Sequence, residues 1–226
     1  MRTNENTMTR REFLKNLAFG LGGIVLTGSF GVIFRHTGIN GSSVKGIVVD
    51  FQRCTGCRTC ETICSAYHHK TMINGEKLNG LGNPWLSNIR VHSFNPDIDV
   101  PMVCSHCEDS PCIHACTVPP DLFTGHKALY LDEDNHTVHN NPDRCVGCGE
   151  CARACRNLRT GIIRRQPENG KPFGICNLCD GDPQCVKYCT YNALSYVELS
   201  GNTNFRKLPP EIIAKKLIYR FYDMEI

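Results

Sequence analysis

All 16 cysteines of the 226-residue chain fall into four quartets. Cys54, Cys57, Cys60 and Cys64 read C-x2-C-x2-C-x3-C, and the same spacing returns at Cys145, Cys148, Cys151 and Cys155. Two looser versions stand at Cys104, Cys107, Cys112, Cys116 and at Cys176, Cys179, Cys185, Cys189. Such quartets can pair as disulfides, bind zinc or hold an iron–sulfur cluster. A zinc ribbon needs two C-x2-C pairs separated by a dozen or more residues. Eight bridges between elements this closely spaced would be strained. A loop with a cysteine at every third position instead wraps three corners of a cubane. The fourth cysteine begins a helical turn and points away, as in two-cluster ferredoxins, where it ligates the other cluster. With every quartet complete, the expected cofactors are four [4Fe–4S] clusters, with all 16 cysteines as iron ligands.

The residues between the cysteines fit this reading. Gly56, Gly147 and Gly149 let the backbone pass close to sulfur and turn its N–H groups toward it. Pro111 fixes the approach to Cys112, and Thr55, Val146, Ile113 and Ala154 help to keep water out. The residue after each fourth cysteine is Ser65, Thr117, Arg156 or Thr190, where the bacterial ferredoxin pattern has proline. His68, His69, His106 and His114 lie near the motifs, and packing or surface roles are the plainer reading for them than bonds to sulfur. No C-x-x-C-H is present, so covalent haem is not expected. The formal charge of +3 counts every thiol as neutral. Four oxidised clusters, each carrying about −2, would bring the holo-protein to about −5. No basic patch with interleaved aromatics points to nucleic acid. Arg164-Arg165 reads as a solvated turn.

The N-terminus reads Thr9-Arg10-Arg11-Glu12-Phe13-Leu14-Lys15, similar to a twin-arginine export signal. An apolar, Gly-rich run follows from Leu17 to Phe34, about 27 Å long as a helix and close to the thickness of a hydrocarbon core. No Ala-x-Ala site follows it, so cleavage and retention as an anchor both stay open. Residues 1–42 therefore read as signal or anchor plus linker. The protein is expected to be exported by the twin-arginine route, to the periplasm or to the outer face of the inner membrane. Further on, Val44 to Asp50, Ile89 to Phe94 and Asn192 to Glu198 predict strands. Ala128 to Leu131 and Thr137 to His139 predict a hairpin. Thr71 to Asn88 predicts a long loop, and Pro96 to Pro101 a connector. Pro209 to Ile226 predicts a helix, with Ile213, Leu217 and Phe221 on one face.

Taken together, Cys54-Thr55-Gly56-Cys57, Cys104-Ser105-His106-Cys107, Cys145-Val146-Gly147-Cys148 and Cys176-Asn177-Leu178-Cys179 resemble the four-cluster iron–sulfur subunits of the dimethyl sulfoxide reductase type. The fourth motif, with Asp180-Gly181-Asp182-Pro183, is most similar to the small subunits that accompany tungsten or molybdenum aldehyde oxidoreductases. The resemblance implies an α+β, loop-rich fold of two ferredoxin-like halves related by a pseudo-two-fold. Residues 43–100 with 165–208 would form the first half and residues 101–164 an inserted second half, before a C-terminal helix over 209–226. It also implies a nested sharing of ligands. One cluster takes Cys54, Cys57, Cys60 and Cys189, and its neighbour Cys176, Cys179, Cys185 and Cys64. The inserted half uses Cys104, Cys107, Cys112 and Cys155, then Cys145, Cys148, Cys151 and Cys116. Spacing alone fits a sequential pairing of the motifs equally well.

No nucleophile–base motif, G-x-G-x-x-G or P-loop occurs, so the chain reads as a non-catalytic electron-transfer subunit. The expected partners are a catalytic molybdenum or tungsten oxidoreductase subunit, and a quinone-linked membrane subunit or cytochrome. An exported polyferredoxin that shuttles between several enzymes is the alternative.

Overall fold

A computed structural model describes residues 44–95, 97–132, 134–199 and 205–224. The twin-arginine stretch and the apolar run lie outside them. Gly41–Ile226 forms one compact unit, of mixed α and β structure and rich in loops. Among the described residues no helix is long and apolar enough to cross a membrane.

Among the described residues the sheets are all two-stranded and antiparallel. Strand β1 (Lys45–Val49) leads into the first cysteine loop, and helix α1 (Thr59–His68) follows. The stretch expected to be a plain loop carries a hairpin, β2 (Thr71–Ile73) and β3 (Glu76–Leu78). Its two-residue turn, Asn74-Gly75, has φ of 51° and 84°, the left-handed pair that Asn-Gly favours and that matches strand twist. A 3₁₀ turn over Pro84–Leu86 follows, capped by the Asn83 side chain, which accepts the Trp85 N–H.

Strand β4 (Ile89–Phe94) pairs with β5 (Ile98–Val103), so the expected connector is largely strand. Proline in a strand normally removes a ladder hydrogen bond. Here Pro101 faces Val91, whose N–H turns away from β5 and donates to Glu61 Oε1 at 2.8 Å. The Val91 carbonyl, on the same side of the strand as its N–H, also turns away from β5, so no acceptor on β4 faces the N–H that Pro101 lacks. Helix α2 (Pro111–His114) lies within the second motif and carries Cys112. The hairpin β6 (Leu129–Leu131) and β7 (Val138–Asn140) lies within a residue of expectation.

Helix α3 (Glu150–Leu158) carries the end of the third motif. A short hairpin, β8 (Arg164–Arg165) with β9 (Pro172–Phe173), spans the breaker-rich stretch. Helix α4 (Gln184–Lys187) carries Cys185 of the fourth motif, β10 (Leu194–Glu198) follows that motif, and β10 pairs with β1. Helix α5 (Pro210–Tyr222) packs on β5 and buries Ile213, Ala214, Leu217 and Ile218. Phe221 is 37% exposed, so the buried stripe stops one turn before the helix end. The core joins these aliphatic residues to Cys64, Cys104, Cys112, Cys151, Cys155, Cys176 and Cys185.

Candidate iron–sulfur sites

The first and third motifs fold alike. Gly56 and Gly147 have φ of 65° and 69°, and two residues on Arg58 and Gly149 have φ of 60° and 80° and start α1 and α3. These left-handed turns curl the loop around its sulfurs. At Gly147 an added Cβ would lie 2.2 Å from the Asn169 carbonyl oxygen, and at Gly56 2.1 Å from Asp99 Oδ2. Glycine is thus required by crowding as well as by conformation.

Cys54, Cys57, Cys60 and Cys189 line one cavity, closed by Val91, Pro101 and Leu194. Cys104, Cys107, Cys112 and Cys155 line another, closed by Val138, Ile162 and Ile163. Packing of α1 on α4 brings Cys64 toward Cys179, Cys185 and Cys176. Packing of α2 on α3 brings Cys116 toward Cys145, Cys148 and Cys151. Each fourth cysteine thus sits with the first three of another motif. Mutual repulsion reaches from Cys60 to Cys185, from Cys176 to Cys104 and from Cys112 to Cys151. The quartets therefore adjoin in the order first-motif, fourth-motif, second-motif, third-motif cavity.

The sulfurs meet backbone N–H groups. Asn88 donates to Cys64 Sγ at 3.3 Å, Ala193 to Cys189 at 3.2 Å and Leu178 to Cys176 at 3.4 Å. His68 Nε2 lies 3.6 Å from Cys179 Sγ, so one of the four histidines does reach a sulfur. His69 meets the Leu86 carbonyl instead. His106 is 1% exposed and has no side-chain partner among the described residues. Burial pushes its pKa down to about 4.

All 16 thiols are unpaired in the structure. Among the described residues no group of His, Cys, Asp or Glu converges closely enough to hold a single metal ion. Burial pushes the pKa of Cys60 and Cys104 up to about 12 and that of Cys64 and Cys151 up to about 11, with neighbouring sulfurs adding to the rise. Thiolates packed this way need a positive centre among them. The donor set, the crowded glycines and the cavities all fit a multi-iron cluster. Cys57 and Cys148 are exposed, and hydrogen bonds lower both pKa values, from Thr59 in the first case and from the Glu150 backbone and Thr117 in the second.

Two features escape sequence reasoning. Glu61 is 0% exposed and faces Arg58 and Arg90 as well as the Val91 N–H. Arg164 is not in a solvated turn. Its guanidinium lies 4.4 Å from the Phe173 ring centroid and 5.6 Å from that of Trp85, and Nη2 donates to the Ser87 carbonyl at 2.6 Å.

Comparison with known proteins agrees with this chemistry. A family model described as a 4Fe–4S binding domain matches residues 137–162, which hold the third motif. The chain is similar to the polyferredoxin-like subunit of an aliphatic sulfonate oxidoreductase from Pyrococcus furiosus, with 36% identity over 143 residues, 63% of this chain and 70% of the relative. It is 28% identical over 166 residues to the electron transport protein HydN of Escherichia coli, covering 67% of this chain and 87% of that one. A solved structure, the active site complex BamBC of benzoyl coenzyme A reductase with zinc, covers 79% of this chain and 91% of its own, with 32% identity and a TM-score of 0.36.

Proposed function

Because the chain belongs to the polyferredoxin-like iron–sulfur subunits of oxidoreductases, we propose that it relays electrons through four [4Fe–4S] clusters to or from a catalytic molybdenum or tungsten subunit. Such clusters supply one-electron redox chemistry that needs no proton. The protein's own residues hold, insulate and tune them. The 16 cysteines serve as ligands in the nested sets, with Cys189 completing the first-motif site and Cys64 the fourth-motif site. Cys155 completes the second-motif site and Cys116 the third-motif site. Val91, Val138, Ile162, Ile163 and Leu194 keep water off the sulfurs. The N–H groups of Asn88, Ala193 and Leu178 stabilise added negative charge and so raise the reduction potential. Exposed Cys57 and Cys148 mark the two ends of the path, where partners dock.

One observation carries this reading: Cys54, Cys57, Cys60 and Cys189 line a single cavity although 135 residues separate the outer two in sequence. The same arrangement supports two ferredoxin-like halves, the outer one closed by β1 against β10. Catalysis, in this reading, belongs to the partner. Export follows from Arg10-Arg11, which would carry the protein to the outer face of the inner membrane, where a quinone-linked subunit or cytochrome completes the path.

The test is iron and acid-labile sulfide analysis with electron paramagnetic resonance on anaerobically purified protein. The intact chain is expected to hold about sixteen irons, four per quartet. Cys189→Ser should change the signal of the first-motif cluster and leave that of the Cys104 site intact. A change confined to the Cys104 or Cys145 site, or about four zinc ions per chain in place of iron, would overturn the assignment.

A further inference from the structure

The two sites joined by α1 differ in the charge held beside Cys64 and beside Cys54, with Asp180 and Asp182 standing on the Cys179 side of the former. Beside Cys64 stands Arg164, held between Trp85 and Phe173 and by the Ser87 carbonyl. Its Nε and Nη1 are buried without a partner among the described residues. The residue after Ser87 is Asn88, whose N–H donates to Cys64 Sγ. Guanidinium, carbonyl, amide and sulfur thus follow one another along a short path. The nearby carboxylate, Glu61, already faces Arg58 and Arg90. Burial first, then repulsion by Arg90, lowers the guanidinium pKa to about 10, which leaves it charged at neutral pH.

Beside Cys54 the sign is reversed. Asp99 fills the space that a side chain at position 56 would need. Its Oδ1 accepts the Ser93 hydroxyl at 2.6 Å, and among the described residues no cation pairs with it. Burial raises the Cys54 pKa, and the Asp99 carboxylate adds to the rise.

We propose that these two fixed charges build a step in reduction potential across α1, with Arg164 making the Cys64, Cys176, Cys179, Cys185 site easier to reduce and Asp99 making the Cys54, Cys57, Cys60, Cys189 site harder. This rests on the reading that both quartets hold clusters. Reduction adds one negative charge to a site. A cation nearby stabilises that charge and a carboxylate opposes it, more strongly at partly buried positions than in water. One electron then passes from the Cys54 site, which is oxidised, to the Cys64 site, which is reduced, and no proton moves. The exposed Cys57 end becomes the entry port, and the buried Cys64 site holds the electron after it enters.

The experiment is a redox titration of the anaerobically purified holo-protein, followed by electron paramagnetic resonance, with iron content measured for each variant. Arg164→Gln should lower one midpoint by at least about 59 mV, a tenfold change in a one-electron equilibrium. Asp99→Asn should raise a different midpoint. Arg164→Lys, which keeps the charge but not the fork or the stack, should fall between wild type and Arg164→Gln. Full iron content with neither midpoint moved, with reversed signs, or with both substitutions acting on the same cluster would overturn the proposal. Should Arg164→Gln lose iron, the sign of the Asp99→Asn shift decides. Wild-type protein without iron at these quartets would overturn the cluster reading itself, and iron analysis separates that failure from a failed potential step.

Discussion

Glu61 ties the first motif to the rest of the protein. It is fully buried on α1, and Oε1 accepts the Val91 N–H of β4. Glu61→Ala leaves that N–H unpaired and Arg90 without its carboxylate, so it should cost about 3 kcal/mol. The check is thermal unfolding under anaerobic conditions. Gly147→Ala meets a different obstacle, because the Asn169 carbonyl belongs to the backbone and cannot swing aside. That variant should lose iron from the third-motif site, seen as about a quarter less iron per chain. The glycine requirement is legible in the sequence, since Gly-Cys after Cys-x is a local pattern. Glu61 and Arg164 are not legible. Their burial depends on Val91 and on Trp85, thirty and 79 residues away in the chain, and local spacing carries no trace of such contacts.

Among the elements, α5 separates core from surface most sharply. Leu217 is 2% exposed, and Leu217→Ala should cost about 2–5 kcal/mol, whereas Phe221→Ala should cost under about 1 kcal/mol. Denaturant midpoints measured side by side would check the contrast. His92 on β4 gives a pH dependence. Burial lowers its pKa, with Glu211 of α5 opposing and Arg90 reinforcing the shift. Below about pH 6.5 the unfolded chain binds a proton that the folded one resists. The contribution of His92 is therefore full above that pH and is lost as pH falls. The wild-type melting temperature should drop between pH 7 and about 5.5, and His92→Asn should drop less. The strands β1, β4 and β10 were readable from alternation and β-branched residues. Strand β5 was not, because Pro101 signals a break unless its partner's N–H is known to point elsewhere. The β2–β3 hairpin was readable in principle from Asn74-Gly75, but its strands are only three residues long and carry little periodicity.

At the level of the whole molecule, the cysteines are both site and core. Seven of them sit in the same buried cluster as the aliphatic side chains. Stripping iron with a chelator under reducing conditions should therefore abolish the cooperative thermal transition, as it does where metal binding and folding are one event. Loss of near-UV circular dichroism, with a broad featureless melt, would register it. The quartets and their chemistry were legible because iron–sulfur motifs are short and local. The grouping of each fourth cysteine was not, because nested and sequential arrangements share the same spacings, and it is the packing of α1 on α4 and of α2 on α3 that brings Cys64 and Cys116 beside other motifs.

The pairing of β1 with β10 also sets a timetable. A chain made from its N-terminus exposes Cys54, Cys57 and Cys60 early, yet the fourth member of that cavity, Cys189, emerges 129 residues after Cys60. The cavity of Cys104, Cys107, Cys112 and Cys155 is complete 34 residues sooner than Cys189 appears. At roughly 5–20 residues per second, about 7 to 27 seconds separate the first cysteines from their last companion. With the nested ligand sets proposed above, the inner sites are complete in the growing chain before the outer one, and the earliest thiols to be made wait longest for their last companion.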